Sequence, residues 1–135
     1  MALLIWKEEY GVGVKEIDDQ HKKIFGLINR LYSAMVDLKE GEVINSIVEE
    51  LVGYSHYHFG LEQEYFEKFN YPDKKSHEAE HEKFKNELIH FQKDINDKVE
   101  ILPREVLTFL EDWWVKHING TDKKYTEFFH EHGLY

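Results

Sequence analysis

Apolar residues recur every three or four positions through four long stretches of this chain. The first stripe runs through Ile24, Leu31 and Leu38, and comparable stripes follow farther along. A repeat of three to four residues places side chains on one face of an α-helix, whereas a strand would require alternation. The only prolines, Pro72 and Pro103, lie outside the stripes. The pattern therefore predicts an all-α protein.

Capping and helix-breaking residues indicate where these helices end. Asp18 and Asp19 can cap the first helix, Asp73 or Ser76 can start the third, and Pro103 suits the first turn of the fourth. The predicted helices cover about residues 19–39, 42–69, 74–97 and 104–118. We also expect an N-terminal arm over 1–17 and a short C-terminal helix over about 122–131. Short connections favour an up-down-up-down four-helix bundle in one domain, 1–135.

Five histidines lie on these otherwise apolar stripes: His21, His58, His77, His81 and His117. In an antiparallel bundle, the starts of helices one and three meet the ends of helices two and four, so all five converge on one layer. A single histidine in such a place is more simply a core residue with a backbone partner. Each unpaired buried polar group, however, costs roughly 1–3 kcal/mol, and several together are hard to offset. A metal centre would give every one of them a strong partner.

One stretch of the third helix reads HEAEH, which matches the H-E-x-x-H signature of zinc peptidases. On that interpretation His77 and His81 bind zinc, and Glu78 is the general base. The two histidines are four residues apart, as are His58 and Glu62. Residues at this spacing lie about 40° apart around a helix and about 6 Å apart along it. Each pair can therefore bind one metal centre.

A further carboxylate, Asp122, follows His117 by five residues. On a regular helix this spacing would separate the two side chains by about 140°. Asn119 and Gly120 lie between them and favour a helix break or bulge. We expect this irregularity to return Asp122 to the inner face of the bundle.

The number of candidate ligands favours two metals over one. A zinc peptidase uses three protein ligands and one open position, whereas this chain offers seven candidates. It has no cysteine, so the ligands must be nitrogen and oxygen. Two octahedral metals have about twelve positions, and five imidazoles, two bridging carboxylates and one bridging oxygen would leave one open. Such a site suits iron and a diatomic ligand, and Glu78 becomes an ordinary surface residue.

Four stretches of the sequence resemble the hemerythrin family, and specifically its single-domain bacterial members. They read VGVKEIDDQH at 12–21, HFGLE at 58–62, YPDKKSHEAEH at 71–81 and HINGTDKKY at 117–125. The resemblance extends over nearly the whole chain. It implies a centre of two Fe ions joined by an oxo or hydroxo bridge.

The resemblance also implies a role for each candidate ligand. One iron would be bound by three histidines, His77, His81 and His117. The other would be bound by two, His21 and His58. Two carboxylates would bridge the irons, Glu62 and Asp122. The iron with two histidines would keep the open position, where dioxygen binds.

The function that the resemblance implies is reversible dioxygen binding for storage, transport or delivery, without catalysis. An oxygen or redox sensor acting through a partner, and a di-iron enzyme that handles peroxide or nitric oxide, stay open as alternatives. The net charge of −10 argues against a nucleic-acid or anionic membrane surface. No apolar run approaches the ~18 residues of a membrane span. We expect a cytoplasmic monomer that passes oxygen to an acceptor protein.

One departure from the family lies in DWWVKH, where Trp114 occupies a position that is usually leucine. Trp114 precedes His117 by three residues and so lies one helical turn away on the same face. We expect Trp114 to border the open iron position and to restrict access to it. Alternatively, Trp114 fills core volume and Trp113 faces the oxygen pocket.

Other residues have simpler interpretations. Trp6 and Tyr10 are expected to anchor the N-terminal arm against the bundle. Gln20 either contacts a ligand or lies on the helix surface. The remaining histidines are predicted not to bind metal: His56, His90, His130 and His132.

Overall fold

The computed structural model describes residues 4–100 and 103–135 and confirms an all-α four-helix bundle. Its main helices are α1 (Lys15–Val36), α2 (Glu40–Phe69), α3 (Lys74–Asn96) and α4 (Pro103–Trp113). After α4 the chain continues as a π-helix (Trp114–Thr121), a 3-10 helix (Asp122–Tyr125) and α5 (Thr126–Glu131). A short 3-10 helix, Glu8–Tyr10, lies in the N-terminal arm. Within the described part of the chain, no helix combines the length and apolar character that crossing a bilayer requires.

The first helix begins earlier than predicted. We expected Asp18 or Asp19 to cap it, but α1 starts at Lys15, and its cap position is the extended residue Val14. The Asp18 carboxylate instead accepts a hydrogen bond from the backbone nitrogen of Val12, at 2.7 Å. The acidic residue therefore ties the arm to the first turn of α1 and does not start the helix.

The reversal between α2 and α3 is sharp. Asn70, the C-cap of α2, adopts a left-handed conformation with φ of 56°, and Pro72 cannot continue the helix. Of the two predicted starts of α3, Asp73 is the N-cap, and the Ser76 hydroxyl donates a hydrogen bond to its carbonyl at 3.0 Å. The end of α2 and the start of α3 consequently lie side by side.

The four helices follow the predicted up-down-up-down order. α2 packs against both α1 and α3, and α4 packs against α1. The starts of α1 and α3 therefore lie at the same end of the bundle as the ends of α2 and α4. The candidate ligands come from this end of the bundle, with His117 and Asp122 in the segments that follow α4.

The apolar interior consists of two clusters of buried residues. The larger cluster includes Ile24 and Leu51, and the smaller one includes Ile17 and Phe66. On α1, His21 lies between Ile17 of the smaller cluster and Ile24 of the larger one. The histidines and carboxylates thus form a polar layer between two apolar regions.

The N-terminal arm is anchored by aromatic residues, as predicted. The Trp6 ring meets the Phe25 ring edge-on, with 5.3 Å between centroids. Tyr10 contacts Phe25 and packs against Trp114 at 4.7 Å between centroids. The arm therefore covers the side of the bundle where α1 meets the π-helix.

The predicted C-terminal helix over about 122–131 forms as the 3-10 helix followed by α5. Two hydrogen bonds tie this segment to the N-terminal arm. The Thr126 hydroxyl donates to the Val12 carbonyl at 2.5 Å, and His130 Nε2 donates to the Gly13 carbonyl at 2.8 Å. Gly13 has φ of 81°, which favours glycine, and an added Cβ would lie 2.8 Å from His130 Nε2. The two ends of the chain therefore close the ligand end of the bundle together.

Candidate metal centre

The structure brings all seven predicted ligands into one layer, and none of these residues is more than 3% exposed. Their ring nitrogens and carboxylate oxygens form two groups, each with ligand atoms within 4.8 Å of one another. One group consists of Glu62, His77, His81, His117 and Asp122. The other consists of His21, His58, Glu62 and Asp122.

Two carboxylates, Glu62 and Asp122, belong to both groups. Asp122 Oδ2 lies 3.0 Å from His21 Nε2, and Asp122 Oδ1 lies 2.9 Å from His117 Nε2. Glu62 Oε1 likewise faces one histidine of each group, at 3.0 and 3.3 Å. The two carboxylates therefore lie between two neighbouring sets of imidazoles.

Many of these polar atoms are buried without a hydrogen-bond partner among the described residues. They include Nε2 of His77, His81 and His117, Oε1 of Glu62 and both carboxylate oxygens of Asp122. Leaving such an atom unsatisfied costs about 1–3 kcal/mol, in a domain whose total stability is about 5–15 kcal/mol. A metal bound by nitrogen and oxygen ligands would satisfy these atoms together. The residues present therefore fit a metal centre.

The charges in the layer also favour a cation. Burial alone would raise the pKa of Glu62, but the neighbouring His58 holds this pKa well below its ordinary value. Burial and the charge of Glu62 would likewise raise the pKa of Asp122, but His117 outweighs both effects and lowers it. Burial lowers the pKa of His77, yet the adjacent carboxylates of Asp122 and Glu62 raise it to about 10. The two carboxylates therefore favour positive charge in this layer, which a metal would supply.

A π-helix explains how His117 and Asp122 face the same centre. The backbone N–H of Asp122 bonds to the carbonyl of His117, five residues earlier, as in a π-helix. The bulge predicted at Asn119 and Gly120 is therefore confirmed. It extends over 8 residues, so the fourth helix is α-helical only as far as Trp113 and not to about 118 as predicted.

Neighbouring polar residues hold two of the ligands in place. Gln20 is buried, and its side-chain oxygen accepts a hydrogen bond from His58 Nδ1 at 2.5 Å. This contact decides between our two interpretations of Gln20, since it places the residue against a ligand. The Tyr125 hydroxyl donates to Glu62 Oε2 at 2.6 Å. Burial and the charges of Asp122 and Glu62 keep the pKa of Tyr125 well above its usual value, so this donor keeps its proton.

The two adjacent tryptophans lie against different parts of the centre. The Trp113 ring stacks on the His117 ring, with 3.8 Å between centroids and 11° between planes. Trp114 packs against Phe25 at 4.9 Å, and Phe25 lies one turn after His21 on α1. Trp113 thus covers the group with three histidines, whereas Trp114 packs on Phe25, on the α1 side of the bundle. That either indole lines an oxygen pocket stays a prediction.

Sequence reasoning missed several residues that contact the ligands, among them Tyr125 and Glu80. Glu80 is the charged one. Its Oε1 lies 3.0 Å from His117 Nδ1 and accepts a hydrogen bond from the Thr121 hydroxyl at 2.9 Å. The sequence feature that could have indicated Glu80 is that HEAEH contains a second glutamate, two residues after the Glu78 that the peptidase motif uses. That motif glutamate, Glu78, lies outside both ligand groups. So do the histidines predicted not to bind metal: His56, His90, His130 and His132.

Comparisons with known proteins agree with this geometry. The family model described as the hemerythrin HHE cation binding domain matches residues 12–129. A bacteriohemerythrin from Methylococcus capsulatus is 33% identical over 126 residues, which cover 93% of this chain and 95% of the relative. A hemerythrin-like protein from Naegleria gruberi is 33% identical over 120 residues, covering 89% of this chain and 88% of that protein.

Solved structures show the same likeness. A wild-type hemerythrin crystal structure superposes with a TM-score of 0.82 at 32% identity, covering 93% of this chain and 97% of that one. A leucine-to-alanine variant of hemerythrin gives a TM-score of 0.83 at 33% identity, covering 94% and 97%. The matched region contains every residue of the buried histidine and carboxylate layer, and on this combined evidence the chain belongs to the hemerythrin family.

Proposed function

We propose that this protein binds dioxygen reversibly at a non-haem di-iron centre and serves in oxygen storage, transport or delivery. The observation that carries the proposal is that Glu62 and Asp122 belong to both ligand groups. Two carboxylates shared in this way suit a bridged pair of metals. Five imidazoles and two bridging carboxylates supply nine of the roughly twelve positions of two octahedral ions, and the rest are available to small ligands.

The donor set supports iron as the metal. Imidazole and carboxylate ligands without thiolate suit iron in octahedral geometry, whereas a catalytic zinc site uses three protein ligands. When bound, such a pair of irons supplies the two electrons that dioxygen takes up and returns. One iron would be held by His77, His81 and His117, the other by His21 and His58, and both by Glu62 and Asp122. Because Glu78 lies outside both groups, the peptidase interpretation of HEAEH loses its general base.

The surroundings of the group with two histidines support a carrier over an enzyme. Turnover of oxygen or peroxide requires a group that gives up protons readily. Tyr54, whose ring stacks on His58 at 5.1 Å, is a phenol in this region. In the metal-free protein, burial and the charges of Glu62 and Asp122 keep its pKa well above the usual value, and its buried hydroxyl has no hydrogen-bond partner among the described residues. On the same side Trp114 and Phe25 supply only aromatic packing.

The proposal includes a monomeric cytoplasmic protein that passes oxygen to an acceptor protein. The net charge of −10 supports a monomer, because copies of the chain repel one another. The exposed large apolar residues of the described part are distributed over different segments, including Leu38, Tyr57, Ile89 and Val115.

The experiment that tests the proposal is a visible spectrum of the anaerobically reduced, iron-loaded protein before and after exposure to air. We expect about two irons per chain, a nearly colourless reduced protein and a coloured oxygenated form. Removing oxygen should restore the first spectrum over several cycles. Irreversible oxidation with release of hydrogen peroxide would favour an enzyme or a sensor. One zinc per chain with peptide cleavage would favour a peptidase.

A second prediction concerns access to the centre. We expect Trp114→Leu to speed azide binding to the oxidised iron protein and to shorten the half-life of its oxygenated form. The reason is that leucine leaves space beside Phe25, on the side of the two-histidine group. Both rates are measurable by stopped-flow spectroscopy, with circular dichroism to verify the fold. Unchanged rates in Trp114→Leu, together with faster rates in Trp113→Leu, would assign the pocket to Trp113.

A further inference from the structure

Glu80 connects α3 to the π-helix beside the metal centre. Its Oε1 lies 3.0 Å from His117 Nδ1, and the Thr121 hydroxyl donates to its two oxygens at 2.9 and 3.1 Å. We propose that Glu80 and Thr121 are positioning residues for His117, setting the ring direction and the tautomer that leave Nε2 free to bind metal. We call this pair the Glu80–Thr121 clamp. The inference rests on the proposed function only in requiring that the centre binds metal.

The hydrogen bond determines which nitrogen of His117 is available. A neutral imidazole has one N–H and one lone pair, and a carboxylate only accepts hydrogen bonds. With Glu80 beside Nδ1, the proton of His117 stays on Nδ1 and the lone pair on Nε2. That Nε2 is buried, lies 2.9 Å from Asp122 Oδ1 and has no hydrogen-bond partner among the described residues. A carboxylate on the outer nitrogen also makes the inner nitrogen a stronger donor to metal.

This support is unequal among the histidines. Nδ1 of His58 is bonded to Gln20, a neutral amide, and Nδ1 of His21 and of His77 have no hydrogen-bond partner in residues 4–100 and 103–135. A charged partner is thus found for His117, in the group with three histidines. The clamp should therefore favour metal binding on that side of the centre.

The clamp also lies beside a surface cleft between α3 and α4. The cleft has a volume of about 540 Å³, and Glu80, Trp113 and His117 are among the residues that line it. The stacked Trp113 ring restrains the tilt of the His117 ring, and Glu80 restrains its rotation within that plane. Thr121 adjoins Asp122 in the chain. The clamp therefore holds the part of the π-helix that lies between the ligands His117 and Asp122.

The first test uses nuclear magnetic resonance of the metal-free protein. A hydrogen bond to Glu80 protects the His117 Nδ1–H from exchange, and this proton should give a resolved downfield signal coupled to nitrogen. We expect Glu80→Ala to lose the signal. Glu78→Ala, which removes the same charge from the same helix, should retain it. A signal that persists unchanged in Glu80→Ala would overturn the clamp, because His117 would then be positioned without Glu80.

The second test measures iron(II) affinity by competition with a chelator under anaerobic conditions. Loss of such an outer partner typically weakens metal binding by about 10- to 100-fold, and we expect this for Glu80→Ala. Glu80→Gln should show a smaller loss, since its amide oxygen still accepts the N–H. Thr121→Val, which removes only the hydroxyl, should also weaken binding. Glu78→Ala and Glu78→Gln should bind iron like the unaltered protein.

The outcomes separate the clamp from the proposed function. Equal losses in Glu80→Ala and Glu78→Ala would show that charge alone matters and would overturn the clamp. If Glu80→Ala loses the His117 signal but neither the unaltered protein nor any variant binds iron, the di-iron proposal is overturned. The contact between Glu80 and His117 then still stands. Thermal unfolding of each metal-free variant identifies loss of fold. If Glu80→Ala is unfolded, the iron affinities of Glu80→Gln and Glu78→Gln are compared, and the smaller loss is expected in Glu80→Gln alone.

Discussion

Glu62→Gln should abolish binding of both metal ions. Glu62 belongs to both ligand groups, so its substitution removes an anionic bridge that every metal in the centre would share. Glutamine has nearly the same volume, which preserves packing around the site. After anaerobic iron loading and desalting, metal analysis should find almost no iron in this variant, against about two irons in the unaltered protein.

Three further variants serve as comparisons for Glu62→Gln. His81→Ala removes a ligand from one group only, so the iron content should fall without being abolished. The substitution should also destabilise the bundle, because it leaves a cavity beside Phe59, whose ring stacks on His81 at 3.8 Å between centroids. Glu78→Gln removes a charge from the same HEAEH stretch and should leave iron content unchanged. Retention of both irons by Glu62→Gln would contradict a shared carboxylate. Loss of metal from Glu78→Gln, with His21→Ala harmless, would instead support the peptidase interpretation.

Phe66→Ala should lower the free energy of unfolding by roughly 3–5 kcal/mol, the usual cost of truncating a buried phenylalanine. Phe66 is fully buried in the smaller apolar cluster. Its ring contacts Tyr71 at 4.9 Å and the edge of His77 at 4.7 Å between centroids. Urea unfolding of the metal-free protein measures the change without a contribution from metal binding.

The matched control for this prediction is Tyr57→Ala, an aromatic residue on the same helix that is 63% exposed. We expect its unfolding free energy to change little, because exposed side chains contribute little packing. Similar losses in the two variants would mean that the smaller cluster does not contribute to stability as its burial indicates. A large loss in Phe66→Ala alone would confirm that the smaller cluster contributes to stability as its burial indicates.

The ligand layer could be predicted from sequence because helix spacing and bundle topology act together. His21 and His77 are far apart in the chain, yet both stand near the start of a helix. An antiparallel arrangement brings such positions to one end whatever the details of packing. The spacing of His117 and Asp122 likewise required an irregular helix, and one is present. These inferences depended on residue spacing and on the up-down-up-down topology that short connections favour, both of which a single sequence indicates.

Features that depend on contacts between segments could not be predicted. Glu80 meets His117 across 37 positions of sequence, so the contact depends on how α3 and the π-helix are rotated relative to each other. Asp18 looks like a helix cap by local rules, but its carboxylate bonds to the arm instead. The length of the π-helix likewise depends on how many successive backbone hydrogen bonds span five residues and not four, and packing determines that number.

The polar layer between the two apolar clusters has a consequence for how the protein folds. A layer of histidines and carboxylates joins the two clusters less strongly than a continuous apolar core would, so we expect each cluster to melt as a separate cooperative unit in the metal-free protein. The smaller unit contains Val12 and Val14 from the end of the arm, and Tyr125 and Phe129 from the C-terminal segment. A metal bound across the layer would join the units, because its ligands come from α1, α2, α3 and the residues after α4. Metal loading should therefore convert a protein that opens in stages into one that unfolds in a single step.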